Sequence, residues 1–183
     1  MTKRPAIFLD RDGVLNRDFN YVHRIEDLEL LPSVSRSLSR LKAAGFLLIV
    51  ITNQSGIARG KFTLKDVDLF NAALQKKITE ENGPLFDAVY VCPHHPQGSA
   101  HPYNVDCNCR KPKPGLLLQA MSDHDVDVSL SCMVGDKESD MEAAKAAGVP
   151  RRFLVHSNQY KSKSVDAVHV LDLAAAVESI MNS

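Results

Sequence analysis

Two aspartates separated by one residue are the first side chains along the chain that could do chemistry together. Asp10 and Asp12 lie in the string Asp-Arg-Asp-Gly-Val at residues 10–14, directly after an apolar run at residues 6–9. At the end of a strand, one carboxylate can attack as a nucleophile while the other moves a proton. Gly13 permits a tight turn that brings peptide N–H groups near a ligand. A solvated turn with two acids is the alternative, and this string alone does not decide between the two.

Two further segments carry groups that suit a phosphate. Residues 52–56 (Thr-Asn-Gln-Ser-Gly) follow an apolar run at 46–51 and offer hydroxyl and loop N–H groups to a phosphate oxygen. Residues 110–113 (Arg-Lys-Pro-Lys) place three cations before a predicted helix, where they could balance a bound dianion. Taken alone, the first segment is also typical of a turn, and the second of a solvated basic loop.

A third segment is rich in carboxylates. Asp136, with Gly135 before it and Asp140 four residues after it, follows the apolar run at 131–134. Asp10 and Asp136 together could bind Mg²⁺, which takes one or two carboxylates along with water and phosphate oxygens. The alternative is that Asp136 only caps the helix that follows it.

Apolar runs and helical patterns alternate along the chain, which predicts an α/β fold with a mainly parallel sheet flanked by helices. The predicted strands are residues 6–9, 46–51, 88–91, 131–134, 153–155 and 167–171. The predicted helices are residues 33–44, 64–81, 114–124, 139–147 and 173–181. Ligands of such sheets bind outside the carboxyl ends of the strands. Because the polar segments each follow a separate apolar strand, we expect them to form one pocket.

The stretch 92–114 is a long loop with little periodicity, and loops of that length usually have a functional reason. It contains two cysteine-containing pairs whose three thiolates and one imidazole suit a closed, structural Zn²⁺ site. The predicted zinc ligands are Cys92, His94, Cys107 and Cys109. His95 and His101 are alternative ligands, and three incidental cysteines are the alternative to a metal site. Cys132 lies in a predicted strand and is interpreted as a small core residue.

The composition fits one globular domain over residues 1–183, with 44% apolar and 24% charged residues. The 22 basic side chains equal the 22 acidic ones, so the formal net charge is zero. A neutral chain has no bulk attraction to nucleic acid or to an anionic membrane, and no apolar run reaches the roughly 20 residues of a membrane span. The first residues lack a signal-peptide core, so we expect a cytoplasmic protein. The neutral surface favours a monomer, and the polar segment 157–165 is expected to be mobile.

Taken together, the motifs resemble those of the haloacid dehalogenase (HAD) superfamily phosphatases over residues 6–150. The matching motifs are Asp10-Arg11-Asp12-Gly13-Val14, Thr52-Asn53-Gln54, Lys111 and Gly135-Asp136-x-x-x-Asp140. The strings TNQSGIARGKF at 52–62, CPHHPQG at 92–98 and CNCRKP at 107–112 are similar to the D-glycero-D-manno-heptose 1,7-bisphosphate 7-phosphatase family. The histidinol-phosphatase domain shares the motifs and the cysteine loop, but its second motif lacks the Ser-Gly-Ile-Ala-Arg-Gly string.

The resemblance implies a Rossmann-like HAD fold and a Mg²⁺-dependent sugar-bisphosphate phosphatase in lipopolysaccharide core or other nucleotide-activated heptose biosynthesis. In that family pattern, Asp10 attacks phosphorus and forms an aspartyl-phosphate, while Asp12 protonates the leaving sugar oxygen and later activates water. Two neighbouring carboxylates and partial burial are expected to keep Asp12 protonated when substrate binds. Thr52 and Lys111 would hold the phosphoryl oxygens. Asp10, the backbone carbonyl of Asp12 and Asp136 would bind Mg²⁺, and the cysteine loop would bind zinc.

The resemblance also implies a set of substrate contacts around the pocket, in which Arg110 would bind the second phosphate with a bidentate contact. The set consists of Arg11, Asp18, Phe19, Asn20, Tyr21, Asn53, Gln54, Ser55, Arg110 and Lys137. The connection between Gly13 and the first predicted helix and that between the third predicted strand and Lys111 are each too short for a cap domain, so the zinc loop at 92–109 and residues 18–21 would form the rim. A histidinol-phosphate phosphatase and a non-catalytic zinc-binding interaction module on a HAD scaffold are the two alternatives.

Overall fold

A parallel sheet of six strands forms the centre of the computed structural model, which describes residues 3–156 and 166–182. The strand order is β3-β2-β1-β4-β5-β6, and every neighbouring pair is parallel. The strands are β1 (Ala6–Leu9), β2 (Leu47–Asn53), β3 (Ala88–Cys92), β4 (Cys132–Gly135), β5 (Arg151–Val155) and β6 (Val168–Val170). The predicted α/β fold is confirmed. The segment 157–165, predicted to be mobile, lies outside the described residues.

Five α-helices connect and flank these strands in the described part of the chain. They are α1 (Val34–Ala43), α2 (Leu64–Glu80), α3 (Gly115–Asp123), α4 (Glu138–Ala146) and α5 (Leu173–Met181). The start of α2 follows from its sequence, because Thr63 and Asp66 form a reciprocal capping box. In the described residues, no helix is long and apolar enough to cross a bilayer.

The sheet separates two hydrophobic cores because successive strand residues point to opposite faces. On one face, Ile7 and Leu9 of β1 pack with α1, α2 and α5. On the other face, Ala6 and Phe8 pack with α3 and α4. All four side chains are fully buried, which explains why β1 is a continuous apolar run and not an alternating one.

Two strands extend further than their apolar runs predict. The strand β2 continues through Thr52 and Asn53, which pair with Val91 and Cys92 of β3. The strand β5 begins at Arg151, opposite Cys132. Backbone pairing with a neighbouring strand decides these ends, and polar side chains do not interrupt it when they lie at the edge of the core. Thr52 is therefore held on the sheet itself and not on a loop.

The order of the strands brings the chemical segments together. The chain runs from β1 through β2 to β3 on one side of the sheet, and then returns to place β4 on the other side of β1. The carboxyl ends of β1, β2 and β4 are thus adjacent, at the switch point where ligands of α/β proteins bind. The connection between β1 and α1 contains only one 3₁₀ turn, Ile25–Asp27, and no folded cap.

Candidate active site

A buried lysine links the ends of two strands to helix α4. The Nζ atom of Lys111 lies 2.7 Å from Oδ1 of Asp10 and 2.7 Å from Oδ1 of Asp140, and it donates to the carbonyl of Ile51 at 2.6 Å. Burial lowers the pKa of Lys111, but the two carboxylates outweigh that effect and raise it above its usual value. Lys111 therefore remains charged, and its charge sits directly beside the predicted nucleophile.

Three aspartates share this space. Oxygen atoms of Asp10, Asp136 and Asp140 lie within 4.8 Å of one another, and all three side chains are buried. Burial raises the pKa of Asp10, an effect that Lys111 opposes and the neighbouring Asp140 reinforces. Burial, together with the charge of Asp10, raises the pKa of Asp136 to about 8. Lys111 lies between Asp10 and Asp140, and Lys137 approaches Asp136 to 3.8 Å, so three buried carboxyl groups share two lysines.

Asp136 has the properties of a metal ligand. Both of its carboxylate oxygens are buried and accept no hydrogen bond from the described residues. An ionised carboxylate without partners is costly in the protein interior, and a divalent cation would remove that cost. Its carboxyl group lies close enough to that of Asp10 for the two to share one ion. The donor set of hard oxygen atoms fits Mg²⁺.

Gly13 makes room for this arrangement. Its φ of +87° lies in the left-handed region, and a Cβ atom at this position would lie 2.4 Å from Oδ2 of Asp136. The peptide N–H of Gly13 donates to the carbonyl of Asn16 at 2.8 Å, which closes the turn after β1. A glycine is therefore required here both for the backbone conformation and for the close approach of the Asp136 carboxylate.

Asp12 occupies a different electrostatic environment from Asp10. Its Oδ1 accepts from Arg11 at 3.0 Å and from Asn16 at 2.9 Å, and its Oδ2 accepts from Arg11 and Gln54, both at 2.9 Å. Burial alone would raise the pKa of Asp12, but the ion pair with Arg11 and these hydrogen bonds lower it overall. These contacts favour the ionised carboxylate, and protonation of Asp12 when substrate binds stays a prediction.

The side chain of Arg11 contradicts the prediction that it binds substrate. It is fully buried, and its guanidinium contacts Asp12, the side chain of Asn71 and the carbonyl of Val22. The ring of Phe70 lies under it at 4.5 Å. Arg11 thus points into the protein, toward α2, and does not line the cleft.

A cleft of about 500 Å³ opens over these residues. Eight of the ten predicted substrate contacts line it, which are Asp18, Asn20, Tyr21, Asn53, Gln54, Ser55, Arg110 and Lys137. Arg11 is one of the other two. Phe19 is the second: its half-exposed ring lies in a neighbouring depression with Lys61, so the structure does not place it in the cleft.

Two amide side chains of the second motif support the site from within. Asn53 Nδ2 donates to the carbonyl of Lys111, and the peptide N–H of Lys111 donates to Asn53 Oδ1, both at 3.1 Å. Gln54 Nε2 donates to Asp12 and, at 2.8 Å, to the hydroxyl of Thr52. Asn53 therefore fixes the backbone of Lys111, and Gln54 joins Asp12 and Thr52, two of the predicted catalytic residues.

The cysteine loop brings its predicted ligands together. The three Sγ atoms of Cys92, Cys107 and Cys109 lie 3.2 to 3.6 Å apart, and Nδ1 of His94 lies 3.3 Å from Cys109 Sγ. These distances are close to the roughly 3.8 Å edges of a tetrahedron with Zn–S bonds of about 2.3 Å. None of the three cysteines is in a disulfide. Three soft thiolates and one imidazole fit zinc.

The neighbours of the cluster connect it to the cleft. His95, an alternative ligand, faces Arg59 at 3.1 Å and lies outside the group of four. Arg110, directly after Cys109, donates to the carbonyl of His94 at 3.3 Å. The fold of the cysteine loop therefore determines where the cations at 110 and 111 lie.

The sequence placed Asp140 in a motif but did not indicate its contacts. Its Oδ2 accepts from the peptide N–H of Lys137 at 3.0 Å and caps α4, while its Oδ1 pairs with Lys111. The signal was available, since a buried carboxylate one turn after Asp136 faces the same end of the sheet. The sequence gives no such signal for Asn16, which donates to Asp12, or for Asn71, which accepts from Arg11. Both contacts depend on the path of the chain after β1.

The comparisons with known proteins agree in family. A sequence model of the HAD-hydrolase-like family matches residues 108–179. The D-glycero-beta-D-manno-heptose-1,7-bisphosphate 7-phosphatase of Escherichia coli (strain K12) is 46% identical over 155 residues, covering 85% of this chain and 81% of that protein. The protein of the same name from Vibrio cholerae serotype O1 is 44% identical over 156 residues, with 85% and 83% covered. The structure of D,D-heptose 1,7-bisphosphate phosphatase from B. bronchiseptica, complexed with magnesium and phosphate, has a TM-score of 0.84 at 30% identity and covers 97% and 98% of the two chains.

The buried lysine generates a stability prediction. Replacing Lys111 by Met leaves Asp10 and Asp140 without their cation, and we expect the free energy of unfolding to fall by about 3–5 kcal/mol in buffer without added divalent cations. Adding Asp140→Asn should recover part of that loss. Urea denaturation measures both. Lys113→Met is the matched control, because Lys113 pairs with Asp106 at the surface. An unchanged urea midpoint in Lys111→Met would contradict the assigned role.

Proposed function

Since the chain belongs to the D-glycero-beta-D-manno-heptose-1,7-bisphosphate 7-phosphatase family of HAD-like hydrolases, we propose that it removes the 7-phosphate of this sugar through an aspartyl-phosphate on Asp10. The protein is a phosphoric monoester hydrolase. One observation carries the proposed mechanism: Asp10, Asp136 and Lys111 meet at the carboxyl ends of β1 and β4, beneath a cleft that can admit a sugar phosphate.

In the proposed first step, a carboxylate oxygen of Asp10 attacks phosphorus as the bond from phosphorus to the sugar oxygen breaks. Lys111 balances the charge of the phosphoryl oxygens from its position beside Asp10, and the hydroxyl of Thr52 donates to one of them. Both groups are held before substrate arrives, Lys111 by two carboxylates and Thr52 by β2 and Gln54. Fixed donors of this kind need little reorganisation during the reaction.

Asp12 is proposed to act as the general acid and then as the general base. It gives a proton to the leaving sugar oxygen and then takes one from the water that hydrolyses the aspartyl-phosphate. Asp12 lines the cleft, so its carboxyl group can face both the sugar oxygen and that water. Because Arg11, Asn16 and Gln54 already donate to both carboxylate oxygens, the acid step requires Asp12 to give up one of these contacts and take up a proton in the substrate complex.

The proposed magnesium site consists of the carboxylates of Asp10 and Asp136 and the backbone carbonyl of Asp12. Support comes from the two oxygens of Asp136, which accept no hydrogen bond from the described residues, and from the close approach of the three buried aspartates. When bound, Mg²⁺ supplies positive charge that offsets the repulsion between the phosphate and the attacking carboxylate. Asp140 lies behind the site and holds Lys111.

The remaining polar residues of the cleft are proposed to bind the sugar and its second phosphate. Arg110 can form a bidentate contact with the phosphate that does not react. Lys137 lies 3.3 Å from Asp18 and 3.8 Å from Asp136, so it connects the rim to the metal site. Asn20, Tyr21 and Ser55 complete the same wall of the cleft.

A structural Zn²⁺ ion held by Cys92, His94, Cys107 and Cys109 is part of the proposal. Four protein ligands would leave no open position for substrate, so the ion would act by fixing the loop. Free thiols are kept reduced in the cytoplasm, and we propose that the enzyme works there. We further propose that residues 1–183 form one domain and act as a monomer on a small sugar bisphosphate, without nucleic acid or membrane, in heptose biosynthesis.

A phosphate-release panel tests the function. We expect fastest release from the β-anomer of the heptose bisphosphate, and release at least about tenfold slower from its α-anomer, fructose 1,6-bisphosphate and histidinol phosphate. Asp10→Asn should lower every rate by a factor on the order of 10⁴ without changing the unfolding temperature. Asp27→Asn is the control for an exposed aspartate. Fastest release from histidinol phosphate would favour that alternative, and activity that survives Asp10→Asn would contradict the mechanism.

The role of Arg110 predicts a substrate-dependent loss. Arg110→Ala removes a charged contact worth about 1.5–3 kcal/mol, so KM for the bisphosphate should rise roughly 10- to 100-fold. For the heptose 7-monophosphate, which lacks the second phosphate, KM should change less than about threefold. Steady-state kinetics measure KM for both substrates. Equal increases would show that Arg110 does not recognise the second phosphate.

The zinc site predicts a change in metal content. Wild-type protein should contain about one zinc ion per chain by mass spectrometry of the metal, and Cys109→Ser should lose most of it. The unfolding temperature of that variant should fall by about 10 °C. Cys132→Ala is the matched control, because Cys132 lies in β4 outside the cluster. If wild-type protein is prepared in the presence of zinc and still contains none, the proposed zinc site is excluded.

A further inference from the structure

The proposed reaction leaves one buried cation without a role. Arg11 has no access to the cleft, yet its guanidinium makes four hydrogen bonds. Nε and Nη2 donate to the two oxygens of Asp12 as a fork, Nη2 also donates to the carbonyl of Val22 at 3.0 Å, and Nη1 donates to Asn71 Oδ1 at 3.1 Å. A buried charge with so complete a set of partners has a defined orientation.

The same contacts fix the orientation of Asp12. Arg11 holds both carboxylate oxygens, Asn16 donates to one of them and Gln54 to the other. Rotation of the carboxylate plane would break the fork and at least one amide contact. Because 15% of the Asp12 side chain remains exposed, the group is accessible from the cleft while its direction is set from behind.

The contacts of Arg11 also reach two separate elements of the fold. Asn71 and Phe70 lie on α2, where the ring of Phe70 packs against the guanidinium. Val22 directly follows Asn20 and Tyr21, which line the cleft. Arg11 therefore connects the predicted proton-transfer group to a core helix on one side and to the rim of the cleft on the other.

We propose that Arg11 is a positioning residue that holds Asp12 in the direction needed to protonate the leaving sugar oxygen, using Asn71 and Phe70 of α2 as its anchor. This inference rests on the proposed role of Asp12. Lysine could supply the charge but not the fork, since its ammonium group cannot bind both carboxylate oxygens in one plane. The fork, and not the charge, is thus the property that the position requires.

Leaving-group dependence distinguishes positioning from a structural role. A sugar alkoxide needs a proton to leave, whereas 4-nitrophenolate leaves without one. The parameter kcat/KM reports the steps up to departure of the leaving group, so the later hydrolysis of the aspartyl-phosphate does not contribute. A misdirected Asp12 should therefore slow the sugar bisphosphate far more than 4-nitrophenyl phosphate, and a general loss of structure should slow both equally.

The experiment compares Arg11→Lys with wild type on these two substrates. We expect kcat/KM to fall about 100-fold for the heptose bisphosphate and less than about fivefold for 4-nitrophenyl phosphate. In the Asp12→Asn background, Arg11→Lys should cause no further loss. Arg24→Lys is the matched control, because Arg24 makes a similar fork with Asp27 at the surface, and both of its values should equal wild type.

Asn71→Ala provides a second variant, since it removes the anchor of Arg11 while leaving the fork and a good helix-forming residue in α2. It should produce the same substrate dependence at a smaller size, about three- to tenfold. If Arg11→Lys and Asn71→Ala lower both substrates equally, or not at all, the inference is overturned. If Asp12→Asn itself lacks the leaving-group dependence, the proposed acid role of Asp12 fails instead, so the two failures are distinguishable.

Discussion

The ion cluster around Lys111 is the interaction on which the site depends. Moving one ammonium and several carboxylates out of water costs several kcal/mol for each ion, and only close pairing compensates for it. Lys111 pairs with Asp10 and Asp140 and binds the carbonyl of Ile51, so one side chain joins β1, α4 and β2. The charges that remain unbalanced are carboxylates, which is why the same cluster can hold a divalent cation. Stability and the proposed cation binding therefore rest on one set of contacts.

Side-chain contacts, and not a helix or strand of its own, hold Lys111 in position. The residue belongs to the long connection between β3 and α3, where no helix or strand would fix its backbone. Two devices replace them: the amide of Asn53 binds the backbone of Lys111 from the end of β2, and the cysteine cluster ends two residues earlier at Cys109. A loop that must deliver two adjacent cations to a cleft thus gains rigidity from a side-chain clamp and a proposed metal site.

Sequence reasoning was most successful where one physical rule decides the outcome. Continuous apolar runs identified the buried strands, and strand ends located the pocket, because both follow from burial and from the geometry of parallel sheets. It was less successful where a side chain could turn in two directions. Arg11 lies between two predicted catalytic residues in the chain, yet its side chain faces α2. The partner of Arg11 on α2 is 60 residues away, and no local pattern indicates it.

The two aspartates of the first motif show why spacing alone is an incomplete guide to chemistry. They are two residues apart and of the same type, so their spacing alone does not distinguish their pKa values. Burial among other carboxylates raises the pKa of Asp10, whereas the fork of Arg11 and two amides lower that of Asp12. Asp10 thus lies where incoming cations are attracted, and Asp12 lies where its charge is already balanced. The proposed nucleophile and the proposed proton carrier therefore have different surroundings, and the buried arginine between them in the sequence, which pairs with Asp12, contributes to that difference.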